Sequence, residues 1–197
     1  MMSSVILPIA YLPSLQYLQQ VINTTTVVIE KQEYYVKQTI RNRCEILSST
    51  GTMRLSIPLI QKSDKELIHQ KRISYAENWQ HQHWRSITTA YKSSPYFEFF
   101  EHELKPFYEN KYEFLFEYNL ELLNTILNIL RVKKELYFTE EYLLHHTNLI
   151  DLRSNKFINS SSQNPYYQVF EDKLGFTQNL SCIDALFHVG LDVLKLV

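Results

Sequence analysis

Glycine is scarce in this chain, with only 3 glycines among 197 residues. A Walker phosphate-binding loop and a GxGxxG dinucleotide fingerprint each need several glycines within one turn. The sequence therefore excludes both motifs, and with them the usual signatures of ATP and NAD binding. A nucleotide would have to bind through some other arrangement.

Cysteine is also rare, and its two copies, Cys44 and Cys182, lie far apart and form no CxxC pair. CxxC pairs are typical of zinc sites and redox centres, so neither is indicated. A chain of this length that is 45% hydrophobic can bury a core without disulfide or metal crosslinks. We expect two reduced, buried thiols; a disulfide or a nucleophilic thiol is the alternative.

Two further absences concern membranes and nucleic acids. No segment approaches the roughly 20 consecutive apolar residues of a membrane-spanning helix, and residues 1–10 lack the basic start of a signal peptide. The net charge of −1 argues against a globally basic nucleic-acid binder. These features predict a cytoplasmic protein with no integral membrane segment and no nucleic-acid partner.

The N-terminal pattern is that of an α/β protein. Residues 5–9 are an apolar run, residues 15–22 have the apolar spacing of a helix, and residues 24–30 are rich in β-branched side chains. This order predicts a β-α-β unit of a parallel sheet. Further strands are predicted at residues 34–47, 53–59 and 67–75, the first two joined as a hairpin by the turn at 48–51.

From residue 78 onward the pattern is mostly helical. It predicts helices at residues 79–91, 96–108, 113–131 and 180–197, with a polar loop at 154–165. Ser94 is the expected cap of the second of these helices. The predicted fold class is therefore α/β: a single domain over residues 1–197, with a mixed sheet built on the N-terminal β-α-β unit and a mostly helical C-terminal half.

The first candidate site is the segment of residues 10–14, which joins the first predicted strand to the first predicted helix. Ligands of open α/β sheets collect at the carboxyl ends of strands, and amide groups at a helix start receive anions. A rigid structural turn is the alternative interpretation.

The second candidate is the basic stretch of residues 37–43. If it is extended, alternate side chains share one face, and these are Lys37, Thr39, Arg41 and Arg43. Three cations on one face suit a phosphate or a carboxylate, which a guanidinium can grip with two parallel hydrogen bonds. A solvated strand face carrying surface ion pairs explains the same pattern.

Histidine supplies the third candidate, because His83 on the predicted helix 79–91 could carry a proton near neutral pH. A structural role is the commoner alternative for a single histidine. His81 and His83 are two residues apart and diverge on a helix, and the adjacent His145 and His146 are no better placed, so no metal site is indicated.

The fourth candidate is the start of the last predicted helix, where Ser181 and Asp184 have the spacing of a helix-capping box. A serine nucleophile is not indicated, because no GxSxG motif is present to display one.

Several of these stretches occur together in a recognisable order between about residues 5 and 191. They are Tyr11-Leu12-Pro13, Arg41-Asn42-Arg43, Leu55-Ser56-Ile57-Pro58, Trp79 with His83-Trp84-Arg85, Ala90-Tyr91, Ser94-Pro95-Tyr96-Phe97, and residues 167–170 and 179–190. This combination resembles the WbqC-like family. Many relatives carry Gln-Pro just before the tyrosine turn, where this chain has Ile9-Ala10.

The resemblance implies a role in the biosynthesis of O-antigen or another surface polysaccharide. It implies a transferase that adds an aminoacyl (glycyl) or acyl group to a nucleotide-linked amino sugar. The expected ligand is an anionic small molecule, either a nucleotide sugar or an activated amino acid. The resemblance specifies no cofactor and no oligomeric state.

Under this hypothesis the diphosphate is held by Lys37, Arg41 and Arg43, and His83 is the general base for the sugar amine. The remaining predicted substrate-binding residues are Tyr11, Asn42, Trp84, Arg85 and Tyr91. We expect Arg41, Arg43, His83 and Arg85 to line one polar cleft. The alternative is a non-catalytic binding or scaffold protein of the same pathway, which would scatter these residues and expose a large aromatic patch.

Overall fold

Four parallel strands in the order β5-β2-β1-β6 form the central sheet. They are β1 (Ser4–Pro8), β2 (Thr26–Glu30), β5 (Leu136–Phe138) and β6 (Ile150–Asp151). The computed structural model of the chain describes residues 4–61, 65–154 and 164–197. β1 and β2 are the two central strands, and they pair along their whole length, from Ser4 opposite Thr26 to Pro8 opposite Glu30.

Helix α1 (Leu15–Asn23) connects β1 to β2, so the predicted β-α-β unit is confirmed. The Ser14 hydroxyl caps this helix by accepting a hydrogen bond from the Tyr17 amide at 3.3 Å. The bond satisfies one of the amides left without a partner at a helix start. Leu15, Leu18 and Val21 are buried, as their helical spacing predicted.

The second sheet is a hairpin of β3 (Arg43–Ser48) and β4 (Gly51–Ser56), paired antiparallel. Gly51 completes its turn with φ +119°, a backbone conformation that side chains with a Cβ rarely adopt. The hairpin prediction is confirmed, and parallel and antiparallel pairing both occur, but in two separate sheets.

Two of the predicted extended segments are wrong. Residues 35–42 form a turn and irregular backbone, and the strand begins only at Arg43. The supposed common face of residues 37–43 therefore does not exist. Residues 67–75 hold a short 3-10 turn, Ile68–Gln70, with isolated single-residue bridges instead of a strand.

The remaining chain is largely helical, as predicted. The helices are α2 (Trp79–Tyr91), α3 (Phe97–Leu104), α4 (Pro106–Glu109), α5 (Leu115–Ile129), α6 (Glu171–Leu174) and α7 (Cys182–Val189), with a final 3-10 helix at Gly190–Lys195. None of the helices within the described ranges is long and apolar enough to cross a membrane. Most of the predicted polar loop, residues 155–163, lies outside the described residues.

The predicted helix 96–108 is divided between α3 and α4, because Pro106 has no amide hydrogen to continue the helix ladder. Ser94 does not cap α3; its hydroxyl instead lies 3.3 Å from the Nε2 atom of buried His188.

One hydrophobic core runs through both sheets and the main helices, so the α/β class and the single domain are confirmed.

Both cysteines are buried free thiols. Burial raises the pKa of the Cys182 thiol to about 12 and that of Cys44 well above its ordinary value. The two thiols therefore stay protonated near neutral pH, which disfavours the alternative of a nucleophilic thiolate.

The carboxylate of Asp184 on α7 organises a buried hydrogen-bond cluster. It accepts hydrogen bonds from the Tyr91 hydroxyl (2.9 Å), the Tyr166 hydroxyl (2.6 Å) and the Gln168 amide (2.9 Å). The predicted capping box is confirmed for Ser181, whose hydroxyl caps α7 by accepting a hydrogen bond from the Ile183 amide at 3.4 Å. It is wrong for Asp184, because the amide of Ser181 donates to the Glu45 carbonyl rather than to Asp184. Asp184 instead joins α7 to α2 and to the segment that precedes α6.

Replacing Asp184 with alanine is expected to lower the free energy of unfolding by about 3–5 kcal/mol, since three buried donors lose their acceptor. Tyr166→Phe removes one of these bonds and is expected to cost about 1–2 kcal/mol. Urea denaturation of both variants measures the difference. Equal losses in the two variants would contradict the central position given to the carboxylate.

Candidate functional site

A cavity of about 450 Å³ opens where β1 ends and the chain turns into α1. Its wall combines the β1–α1 turn with the turn before β3, the two hairpin strands and the residues just before α7. The lining residues are Tyr11, Leu12, Pro13, Ser14, Gln38, Thr39, Ile40, Arg43, Cys44, Glu45, Arg54, Asn179 and Ser181. The segment that the sequence singled out at residues 10–14 thus forms one side of this cavity.

Unusual backbone conformations are concentrated in this wall. Within the described ranges four non-glycine residues have positive φ, and three of them line the cavity: Leu12 (+40°), Gln38 (+62°) and Asn179 (+62°). Left-handed backbone costs a residue with a Cβ roughly 1–2 kcal/mol, although asparagine tolerates it better. Such strain collects at binding and catalytic sites, so it marks this cavity as the candidate functional site.

Arg43 is the cation that this wall leaves without a carboxylate. It is half-buried at the start of β3, and its Nε atom is buried with no hydrogen-bond partner among the described residues. It joins none of the ion pairs formed within residues 4–61, 65–154 and 164–197. Arg54, in the same wall, is bonded to Glu45 at 2.7 Å. Among the described residues that line this wall, Arg43 therefore carries the charge that is available to an anionic ligand.

Arg41 is turned inward and is 3% exposed. Its Nε and Nη2 atoms donate to the two carboxylate oxygens of Glu33 at 2.7 and 2.5 Å. Burial raises the pKa of Glu33, and the Arg41 guanidinium opposes that rise. The expectation that Arg41 and Arg43 present one cationic face is wrong, because Arg41 is committed to this two-pronged ion pair.

His83 is buried on α2, and its ring is hydrogen-bonded to the Tyr11 hydroxyl. The Tyr11 hydroxyl lies 2.9 Å from the Nδ1 atom of His83 and 3.1 Å from the Tyr108 hydroxyl. Burial lowers the pKa of His83 to about 4, against the opposing effect of a hydrogen bond to the Ser56 backbone. The ring is therefore neutral near pH 7: its N–H donates to Ser56 and its Nδ1 accepts from Tyr11.

This geometry bears on the predicted role of His83. A neutral ring with a low pKa is a weak base, and its one lone pair is already engaged by the Tyr11 hydroxyl. The general-base role stays a prediction, and it would have to operate through Tyr11, which itself lines the cavity. In this structure Tyr11 is fully buried, and its hydroxyl is directed into the core towards His83 and Tyr108.

The other predicted site residues lie apart. Tyr91 is fully buried against Asp184, and half-buried Trp84 packs on Phe97 and Tyr108 with ring centroids 6.1 and 5.4 Å apart. Arg85 is exposed and borders a separate depression of about 280 Å³ beside the hairpin turn.

Lys37 and Asn42 line another cavity, of about 380 Å³, together with Arg43. The expectation of one cleft shared by Arg41, Arg43, His83 and Arg85 is wrong, since the structure directs these four side chains into different surroundings.

A polar cluster that the sequence analysis did not single out lies at the carboxyl ends of the parallel strands. Glu30 is fully buried, and its carboxylate accepts from the Thr139 hydroxyl at 2.5 Å and from Arg153 Nη1 at 2.9 Å. Arg153 also forms an ion pair with Asp151 and donates hydrogen bonds to the carbonyls of Leu143 and Leu144. An acidic residue ending an otherwise apolar strand was the available signal. Every charge in this cluster is paired, so it anchors the loop rather than offering a free site.

The comparison with known families bears on the identity of the chain. The model of the WbqC-like protein family matches residues 9–156, three quarters of the 197 residues. The chain belongs to the WbqC-like protein family. Neither a curated protein nor a solved structure matches it. Family membership associates this WbqC-like protein with polysaccharide biosynthesis.

The matched segment contains most of the candidate site of this WbqC-like protein. It includes the cavity wall from Tyr11 to Arg54 and the paired cluster that ends at Arg153. Asn179 and Ser181, which complete the wall, lie beyond the match. The C-terminal contribution to the cavity is thus a feature of the structure and not of the family match.

The acid sensitivity of this WbqC-like protein is expected to depend on His83. The unfolded chain takes up a proton at this histidine below about pH 6.5, whereas the folded chain does so only near pH 4. Stability from the neutral ring is therefore present above pH 6.5 and lost as the pH falls towards 4, by about 3 kcal/mol. Urea denaturation at pH 7.5 and 4.5 should show a smaller loss for His83→Gln; identical losses would contradict the assignment.

The strain in the cavity wall can be tested at Gln38, which is exposed. Gln38→Gly relieves the left-handed conformation and is expected to raise the free energy of unfolding by about 0.5–1 kcal/mol, after the entropic cost of glycine. The neighbouring Lys37→Gly is the control, because Lys37 is exposed without positive φ. It should be destabilising, and stabilisation in both variants would remove the case for strain.

Proposed function

We propose that this WbqC-like protein is a transferase of surface-polysaccharide biosynthesis that adds an aminoacyl (glycyl) or acyl group to a nucleotide-linked amino sugar. Family membership supports the pathway. The observation that supports the binding site is Arg43, a half-buried cation in a cavity wall of strained backbone, which has no carboxylate partner among the described residues. The substrate is then a small anionic molecule whose phosphate lies against the Arg43 guanidinium.

The electrostatics of the cavity support an anion at this position. Glu45 is the carboxylate in the wall, and Arg54 compensates it at 2.7 Å. Ser14 brings the start of α1 to the same wall, and the partial positive charge of a helix start favours a phosphate. Arg43 can contribute two parallel hydrogen bonds, which orient a phosphate as well as attract it.

The proposed reaction is acyl transfer to an amine. The sugar nitrogen forms a bond to the acyl carbon, the bond between that carbon and its leaving group breaks, and the leaving group departs with the electron pair. The amine also loses a proton. We assign this proton to His83 by way of Tyr11: once substrate binding makes the Tyr11 hydroxyl accessible, which is fully buried in this structure, that hydroxyl would take the proton while passing its own proton to His83 Nδ1, 2.9 Å away.

A specific observation favours the non-catalytic alternative, a binding or scaffold protein of the same pathway. An apolar groove of about 430 Å³ is lined by Tyr96, Phe99, Phe100, Val189, Leu191 and Asp192. Phe99 is 65% exposed. Exposed aromatic surface of this kind is typical of protein interaction sites, and the predicted catalytic residue His83 does not share one cleft with Arg41, Arg43 and Arg85.

Arg43→Ala is expected to weaken the binding of inorganic pyrophosphate by about 1.5–3 kcal/mol, the usual contribution of hydrogen bonds to a charged group. Arg85→Ala is the matched control, because Arg85 is exposed and borders a separate depression. Isothermal titration calorimetry measures both. Equal binding by the two variants would show that the anion does not lie at Arg43.

A transfer assay separates the enzyme from the scaffold. The wild-type protein is incubated with glycyl adenylate and a uridine-diphosphate amino sugar, and mass spectrometry detects an amino sugar that has gained one glycyl group. His83→Gln should retain pyrophosphate binding and lose turnover. If wild type binds both compounds without transferring the group, the scaffold function is supported instead.

A further inference from the structure

Two cavities meet at the turn that carries Arg43. The first is the site at the end of β1, and the second, of about 380 Å³, lies beside the ends of the hairpin strands. Gln38 and Arg43 belong to both walls. The two spaces are therefore neighbours, separated by one short stretch of chain.

Two buried polar atoms at this boundary have no hydrogen-bond partner among the described residues. One is Arg43 Nε, and the other is Asn42 Oδ1. Asn42 is 8% exposed, and its Nδ2 donates to the Ile57 carbonyl at 2.9 Å, which fixes the side-chain amide. A buried polar group without a partner costs about 1–3 kcal/mol. A ligand that brings an anion to Arg43 and an N–H or O–H donor to Asn42 would remove both costs.

Apart from Arg43 and Lys37, the cations in the two cavities are compensated by carboxylates. Arg54 is paired with Glu45 in the first, and Lys71 in the second is bonded to Glu66 at 2.5 Å. Lys37 is exposed at the rim of the second cavity. Uncompensated positive charge therefore concentrates at the shared wall, and the rest of each cavity suits an uncharged polar group.

We propose that the site binds a ligand with two uncharged polar parts, one in each cavity, which are joined by a phosphate or diphosphate that lies at Arg43; we call it a two-part ligand. The group in the second cavity presents a hydrogen-bond donor to Asn42 Oδ1. Each cavity has the size of a pocket for a small ligand or part of one. The inference rests on the proposed anion site and adds how the ligand is divided between the two cavities. Nucleoside diphosphate sugars have this chemistry; aminoacyl adenylates have the same arrangement, except that the aminoacyl group carries an amine that is protonated near neutral pH.

A graded set of ligands tests the two-part character. The first series is pyrophosphate, uridine diphosphate and uridine diphosphate N-acetylglucosamine; the second is phosphate, adenosine monophosphate and a non-hydrolysable glycyl adenylate. Calorimetry should show affinity rising about tenfold with each added group in one series, the equivalent of about 1.4 kcal/mol per group. The series in which affinity rises identifies the source of the ligand.

Backbone amide NMR of the wild-type protein locates each group. The anion alone should shift the Arg43 signal, and the two attached groups should shift Asn179 in the first cavity and Leu59 in the second. Asn42→Ala should lose the gain from the group in the second cavity, measured relative to the affinity of the same variant for pyrophosphate. The NMR experiment uses the wild-type protein, so it tests the two-part ligand even if the Asn42→Ala variant does not fold.

The outcomes separate this inference from the proposed function. If pyrophosphate binds through Arg43 but neither series gains affinity, or if both groups shift signals in one cavity only, the two-part ligand is wrong and the anion site stands. If pyrophosphate fails to bind, or binds equally well to Arg43→Ala and Arg85→Ala, the anion site itself is wrong.

Discussion

The buried ion pair between Glu33 and Arg41 is the interaction on which the candidate site depends. A carboxylate and a guanidinium removed from water must compensate each other, because either one alone would carry a prohibitive desolvation cost. Reaching Glu33 requires the chain to turn inward before β3, and Gln38 takes up a left-handed conformation within that turn. As a consequence Arg43, two residues after Arg41, lies at the strand start, where no acidic residue in the described part of the chain pairs with it. The charge of Arg41 therefore stabilises the fold, whereas the charge of Arg43 is available to a ligand.

A second buried cluster explains why the cavity lies beside the parallel sheet rather than across all its strand ends. Glu30, Thr139, Asp151 and Arg153 occupy the carboxyl ends of the strands and satisfy one another. Open α/β sheets often bind ligands at this edge. In this protein the charged side chains at the edge pair with one another and fix the loop between β5 and β6. The remaining opening is at the β1–α1 turn, where the hairpin and the start of α7 approach.

Sequence reasoning predicted well where the signal was local. The bounds of α2 followed from apolar spacing, and the hairpin turn followed from the position of Gly51. It failed at residues 37–42, where alternation of charge resembled a strand face although the backbone turns. It also assigned Asp184 to a helix cap, while the carboxylate serves tyrosines more than fifteen residues away along the chain and across the core.

The sequence by itself determined the α/β class, the N-terminal β-α-β unit and the family, because periodicity and the order of short motifs are properties of neighbouring residues. Only the tertiary structure decided which side chains are available for chemistry. Arg41 and Arg43 are the same residue type in one motif, and nothing local distinguishes them. Glu33 pairs with the first, whereas the second has no such acidic neighbour among the described residues. A charge becomes a binding group when folding brings it to a cavity without a partner, and that is set by contacts distant in sequence.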